Sequence, residues 1–167
     1  MPLIKHGHVV DDPWVPLADE GAVPASGAVI VSLGRLRAEH EALLAREEPL
    51  GVRLASHETA SELAGYLPRL SLVALEFPTF KDGRAYSTAR LLRERYHYKG
   101  ELRAVGNVLR DQVLFMLRCG FDAFEVASEQ EAGAWKKAMD EFSVWYQAAA
   151  DDRQPAARLR GFARAAQ

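Results

Sequence analysis

From residue 28 onward, short apolar runs alternate with segments of helical spacing. "AVIVSL" at 28–33 is apolar and β-branched, the mark of a buried strand. Residues 34–46 then place Leu36, His40, Leu43 and Leu44 on one helical face. "GVRLA" at 51–55 predicts a second strand. "TASE" at 59–62 is a capping-box pattern, Thr59 with Glu62, opening a short helix that Pro68 ends. "LSLVALEF" at 70–77 is the strongest strand, a continuous apolar run bounded by polar residues. A helix from about 85 to 96 is expected to bury Ala85, Ala89, Leu92 and Tyr96. "ELRAVG" at 101–106 predicts a fourth strand; Asn107 can cap a helix over 108–119, and Gly120 suits its C-terminal end. "FDAFEV" at 121–126 predicts a fifth strand. "SEQE" at 128–131 is a second capping box and opens a long helix with Trp135, Ala138, Met139, Phe142 and Trp145 in one stripe.

Five alternations with tight helix–strand links imply a parallel sheet covered on both faces. They are too few for a closed eight-unit barrel. The expected fold is therefore a three-layer αβα sandwich with a mainly parallel five-stranded sheet, flavodoxin- or receiver-like. Residues 28–150 form its single α/β domain. Residues 1–27 are an N-terminal extension in which "LIKHGHVV" and "WVPL" pair as a hairpin around "DDP". The segment 151–167, with four Arg and few apolar residues, reads as a mobile or weakly helical tail. The third to fifth units resemble a response-regulator receiver, but the paired acids, the acceptor Asp and the Lys of that chemistry are missing. That likeness bears on fold alone.

Composition narrows the function classes. A net charge of −2 gives no bulk attraction to nucleic acid or an anionic membrane. No apolar run approaches the roughly 20 residues of a membrane span, and the N-terminus lacks a secretory pattern. A cytoplasmic location follows as the simplest expectation. Cys119 is the single cysteine, which excludes an internal disulfide and leaves too few thiolates for an iron–sulfur cluster. Cys119 closes a predicted helix, where a buried, inert thiol is the usual case. His6 and His8 form an H-x-H pair without an evident third ligand, so no metal site is expected. No recognised cofactor motif is present, and the cofactor, if any, stays unknown.

In open parallel sheets ligands bind beyond the carboxyl ends of the strands. The loop after the third strand, "PTFKDGR", lies at that rim. Pro78 holds Phe77 extended, and Asp82-Gly83 is a turn signal with Gly83 free to take positive φ. Arg84 and Ser87 follow at a helix start, where backbone N–H groups carry partial positive charge. With Arg110 in the first turn of the next helix, they make a candidate oxyanion site. Glu76, Phe80, Asn107 and Asp111 complete the rim set. The competing arrangement is a salt-bridge network in which the same arginines hold Asp82, Asp111 or Glu76. Arg90 and Arg93 lie along a helix face as interface candidates, since Arg is enriched at interfaces.

"LEFPTFKDGRAYSTARLLRERYHYKGELRAVGNVLRDQVLFMLRCGFDAFEV", from Leu75 to Val126, resembles the bacterial family called domain of unknown function 934. The "FPTFKDGRAYSTARLLRER", "GELRAVG" and "RCGFDAF" segments carry the likeness. The resemblance implies a place beside assimilatory sulfite reductase, in supplying sulfide for cysteine, and an oxidoreductase label that rests on association. Two functions are compatible with these features. One is a non-catalytic accessory docking on sulfite reductase, its electron donor or another sulfate-assimilation enzyme. The other is an enzyme or small-ligand binder for a sulfur oxyanion or a phosphorylated metabolite at the rim. A homodimer stays open, because exposed helices offer several faces.

Overall fold

The apolar runs form strands, but the sheet is larger and ordered differently from the expectation. The computed structural model describes residues 1–151 and 153–165. Its strands are β1 (Leu3–Lys5), β2 (His8–Val10), β3 (Val15–Pro16), β4 (Val29–Ser32), β5 (Leu50–Leu54), β6 (Leu70–Phe77), β7 (Glu101–Gly106) and β8 (Ala123–Glu125). The α-helices are α1 (Leu33–Ala38), α2 (His40–Leu44), α3 (Arg84–Arg90), α4 (Val113–Arg118), α5 (Ala132–Met139) and α6 (Ala156–Ala165). All eight strands join one sheet in the order β2-β1-β8-β7-β6-β5-β4-β3. Strands β3 to β8 are parallel, and β1 runs antiparallel to both β2 and β8.

This corrects the five-stranded, doubly wound expectation. A doubly wound sheet reverses its strand order, which sends helices to both faces. Here β4 to β8 follow one another without reversal. Successive right-handed crossovers then place every connecting helix on the same face. The result is a half-barrel. The helical face holds the main core, in which Val31, Val52, Val73, Leu75, Leu102 and Phe124 meet Leu36, Ala89, Leu92, Met116 and Trp135.

The N-terminal segment covers the other face, and its path requires the sheet to curl. Strands β2 and β3 lie at opposite edges of eight strands, about 34 Å apart if the sheet were flat. Only five residue steps separate Val10 from Val15, at most about 18 Å of extended chain. Residues 11–14 therefore strap the concave side. Trp14 packs there on a small second core of Ile30, Leu72, Ala74 and Val105. The approach is close: a Cβ on Gly51 would lie 3.1 Å from the Trp14 ring.

The hairpin expectation is corrected by the same topology. "LIKHGHVV" folds on itself through a turn with φ of 50° at His6 and 77° at Gly7, the paired positive values of a tight hairpin. "WVPL" supplies β3 at the far edge instead. Gly120, at φ 98°, ends α4 as expected. The helix expected over 85–96 is α3 followed by a single π-helical turn, Leu91–Arg95. The stripe expected to run to Trp145 ends with α5 at Met139, which leaves Phe142 exposed. Within the segment read as a tail, Ala156–Ala165 is helical, and Asp151 holds Arg118 at 2.5 Å.

The concave face contains a buried charge cluster that the strands' alternation creates. Residues 53, 74, 103 and 123 stand in one row across β5 to β8. Arg103 in that row is fully buried. It donates to Asp12 of the strap at 2.7 and 3.0 Å, to Glu101 at 2.8 Å and to Glu125 at 3.3 Å. Lys5 pairs with Glu101 from β1. Asp12 also accepts the Trp14 N–H at 3.2 Å, so one carboxylate ties the strap to the sheet.

Candidate functional site

The carboxyl ends of β4 to β8 form one rim, as the parallel topology demands, and the candidate residues distribute along it in three groups. At the first, Arg84 grips Asp82 through two contacts, 2.6 and 3.0 Å, and donates to Ser56 at 2.8 Å. The Arg84 guanidinium holds the Asp82 carboxyl well below the ordinary carboxylate range. Glu76 is paired with Arg53 of the neighbouring strand at 2.8 Å. Gly83 precedes α3 with φ −95°, so the turn does not draw on glycine's left-handed freedom. Ser87 is exposed on α3.

The second group is aromatic. Phe77, at the end of β6, packs edge-on against Tyr86 of α3 at 5.1 Å between ring centres. Tyr86 in turn meets Phe115 of α4 at 4.7 Å. Phe77 is buried, but Phe115 is 58% exposed. The two loops beside this stack are joined where the Asn107 N–H donates to the Phe77 carbonyl at 2.7 Å. They carry two further exposed apolar side chains, Phe80 at 60% and Leu109 at 42%. The fold thus builds an aromatic shelf over α3, α4 and their entry loops. Arg90 borders it and holds Glu94, one helical turn on, at 3.0 Å.

The third group stands apart. Arg110 and Asp111 sit in a 3₁₀ turn, Arg110–Gln112, with Leu109 rather than Asn107 at the cap position. They face each other at 3.3 Å and line a cleft of about 610 Å³ between α4 and α5, with Lys137 and Asp140. Arg110 therefore does not converge with Arg84 and Ser87. Arg93 turns inward, donating to the carbonyls of Gly120, Tyr98 and Gly100 and to Asp122 at 2.7 to 3.0 Å. Arg93 joins the end of α4 to the start of β7. Burial pushes the Cys119 thiol up, away from the thiolate that redox or nucleophilic chemistry needs.

Two partners escaped sequence reading, Ser56 for Arg84 and Arg53 for Glu76. Both contacts join residues more than 20 positions apart. The only local cue was a charge at an alternate position of an apolar strand. Among the described residues, no group of three or more His, Cys, Asp or Glu could hold a metal ion. No helix of the described residues is long and apolar enough to cross a membrane.

These features define an α/β half-barrel whose rim arginines Arg53, Arg84 and Arg110 are paired within the chain and whose exposed shelf is aromatic. The chain belongs to the family described as bacterial protein of unknown function, DUF934, whose model matches residues 51–157. That span includes every rim group above. No curated protein matches the chain.

Proposed function

We propose that this protein is an accessory of assimilatory sulfite reduction, docking on sulfite reductase or its electron donor in the supply of sulfide for cysteine. The aromatic shelf carries the docking part of this reading. Phe80, Leu109 and Phe115 each expose apolar surface, Phe115 on α4 beside Tyr86 and the other two on the entry loops joined at Asn107, while Arg84 and Arg90 lie on α3. Aromatic and Arg side chains are the types enriched at protein interfaces and their hot spots. The pathway part rests on the family resemblance alone. The competing oxyanion reading has less support, because Arg84 and Arg110 each already hold an acid of this chain.

A deletion strain is expected to fail on sulfate or sulfite as sole sulfur source and to grow on sulfide. The intact gene should restore growth, and a Phe80→Ser/Phe115→Ser double variant should not. Both positions are exposed; the Phe80 change should alter folding stability by no more than about 0.5 kcal/mol, and the Phe115 change by about 0.5–1.5 kcal/mol through its lost contact with Tyr86. Growth of the deletion strain on sulfite would remove the reading.

A further inference from the structure

A second cleft, of about 340 Å³, opens on the concave side at the carboxyl ends of β4 and β5, under the chain that follows β3. This is the position where barrels of parallel strands hold their ligands, and the volume suits a metabolite. Asp19, Ser32, Arg53, Glu58 and Glu76 line it. We propose that this mouth binds a small ammonium–carboxylate zwitterion of the α-amino-acid type.

The unused hydrogen-bonding capacity of the lining specifies both charges. Arg53 gives one Nη2 hydrogen bond to Glu76 at 2.8 Å. Its Nε and Nη1 meet no protein acceptor among the described residues, and the side chain is half exposed. Glu76 takes one of the two Nη2 hydrogens, so one guanidinium edge, the second Nη2 hydrogen with Nε or Nη1, stays open to a carboxylate, which it can hold through two parallel hydrogen bonds. Asp19 accepts the Ser32 hydroxyl at 2.5 Å through Oδ1, leaving Oδ2 open. Glu58 accepts the Ala55 N–H at 2.7 Å through Oε2, leaving Oε1 open. With Glu76 there are three carboxylates against one guanidinium. The excess acid repels a bare anion and attracts an ammonium group. A bare amine, conversely, would leave the Arg53 edge unmatched.

The site is built before a ligand arrives. Arg35 is buried and donates to the carbonyls of Ala18 at 2.5 Å and Gly21 at 2.6 Å, fixing the loop that carries Asp19. Ser32, at the end of β4, is fixed as the cap of α1 by the Arg35 N–H at 3.0 Å. This inference is independent of the aromatic shelf.

The test is titration of the purified full-length protein with glycine, alanine and lysine, followed by calorimetry and by thermal unfolding. Methylamine and acetate at the same millimolar concentrations are the controls. The amino acids are expected to bind saturably and raise the unfolding temperature, while neither control does so alone. Asp19→Asn and Arg53→Lys should each weaken binding about tenfold or more, from loss of one charge-assisted contact. Asp19 is exposed, so the first variant folds even if the second does not. The proposal is overturned if no amino acid saturates the protein. It is equally overturned if methylamine or acetate binds as tightly, or if the folded Asp19→Asn variant binds like wild type.

Discussion

Replacing Arg103 with Met is expected to cost about 3–5 kcal/mol of folding stability, although Met keeps an unbranched apolar stem in place of the arginine's. The reason is the company Arg103 keeps. Asp12, Glu101 and Glu125 all converge on its guanidinium, and among the described residues only Glu101 has another cation, Lys5. Removing one member of a buried ionic group leaves its partners desolvated and uncompensated. Urea unfolding measures the loss. A second readout is positional, because Asp12 lies in the strap 91 residues from Arg103. Limited proteolysis should therefore cut the Arg103→Met protein faster within residues 11–27, before the rest of the chain is attacked. A stability change below about 1 kcal/mol, with an unaltered cleavage pattern, would show that the strap is held by Trp14 packing alone.

Gly106→Ala is expected to destabilise by about 2–4 kcal/mol, combining backbone strain with a steric clash. Gly106 ends β7 at φ 91°, a conformation that L side chains rarely adopt. An added Cβ would stand 2.6 Å from the Phe77 carbonyl oxygen. That oxygen also accepts the Asn107 N–H, so relief of the clash must separate the two loops that carry Phe80 and Leu109. Thermal unfolding should show the loss, and growth on sulfite should fall with it. A variant as stable as wild type would mean that β6 and β7 part easily at the rim.

The elements were largely legible in the sequence, whereas their arrangement was not. "LSLVALEF" and "ELRAVG" are strands because their apolar runs fix them locally. Strand order is set by non-local pairing, and five strand–helix units suit a wound sandwich and a half-barrel equally. The available clue was Arg53, Glu76 and Arg103 at alternate positions of apolar strands. A sheet covered by helices on both faces has no place for that series. "DDP" looked like the stronger turn signal, yet Asp12 was needed by Arg103, far away in sequence. The Arg90 and Arg93 face also shows how a local irregularity defeats spacing. Regular helical geometry puts both near one face, but the π turn at Leu91–Arg95 shifts the phase. Arg90 stays 57% exposed while Arg93 falls to 15%. The Asp82–Arg84 pair was legible because it is two residues apart; the Arg53–Glu76 and Arg84–Ser56 contacts depend on the sheet.

Docking through the aromatic shelf is read out by co-purification. Tagged protein expressed at native level should retain sulfite reductase or its electron donor, identified by mass spectrometry. The Phe80→Ser/Phe115→Ser variant, at equal abundance, should lose it. Retention of the same partner by that variant would contradict the shelf as the docking surface, and absence of both partners from the wild-type sample would contradict the proposed function itself.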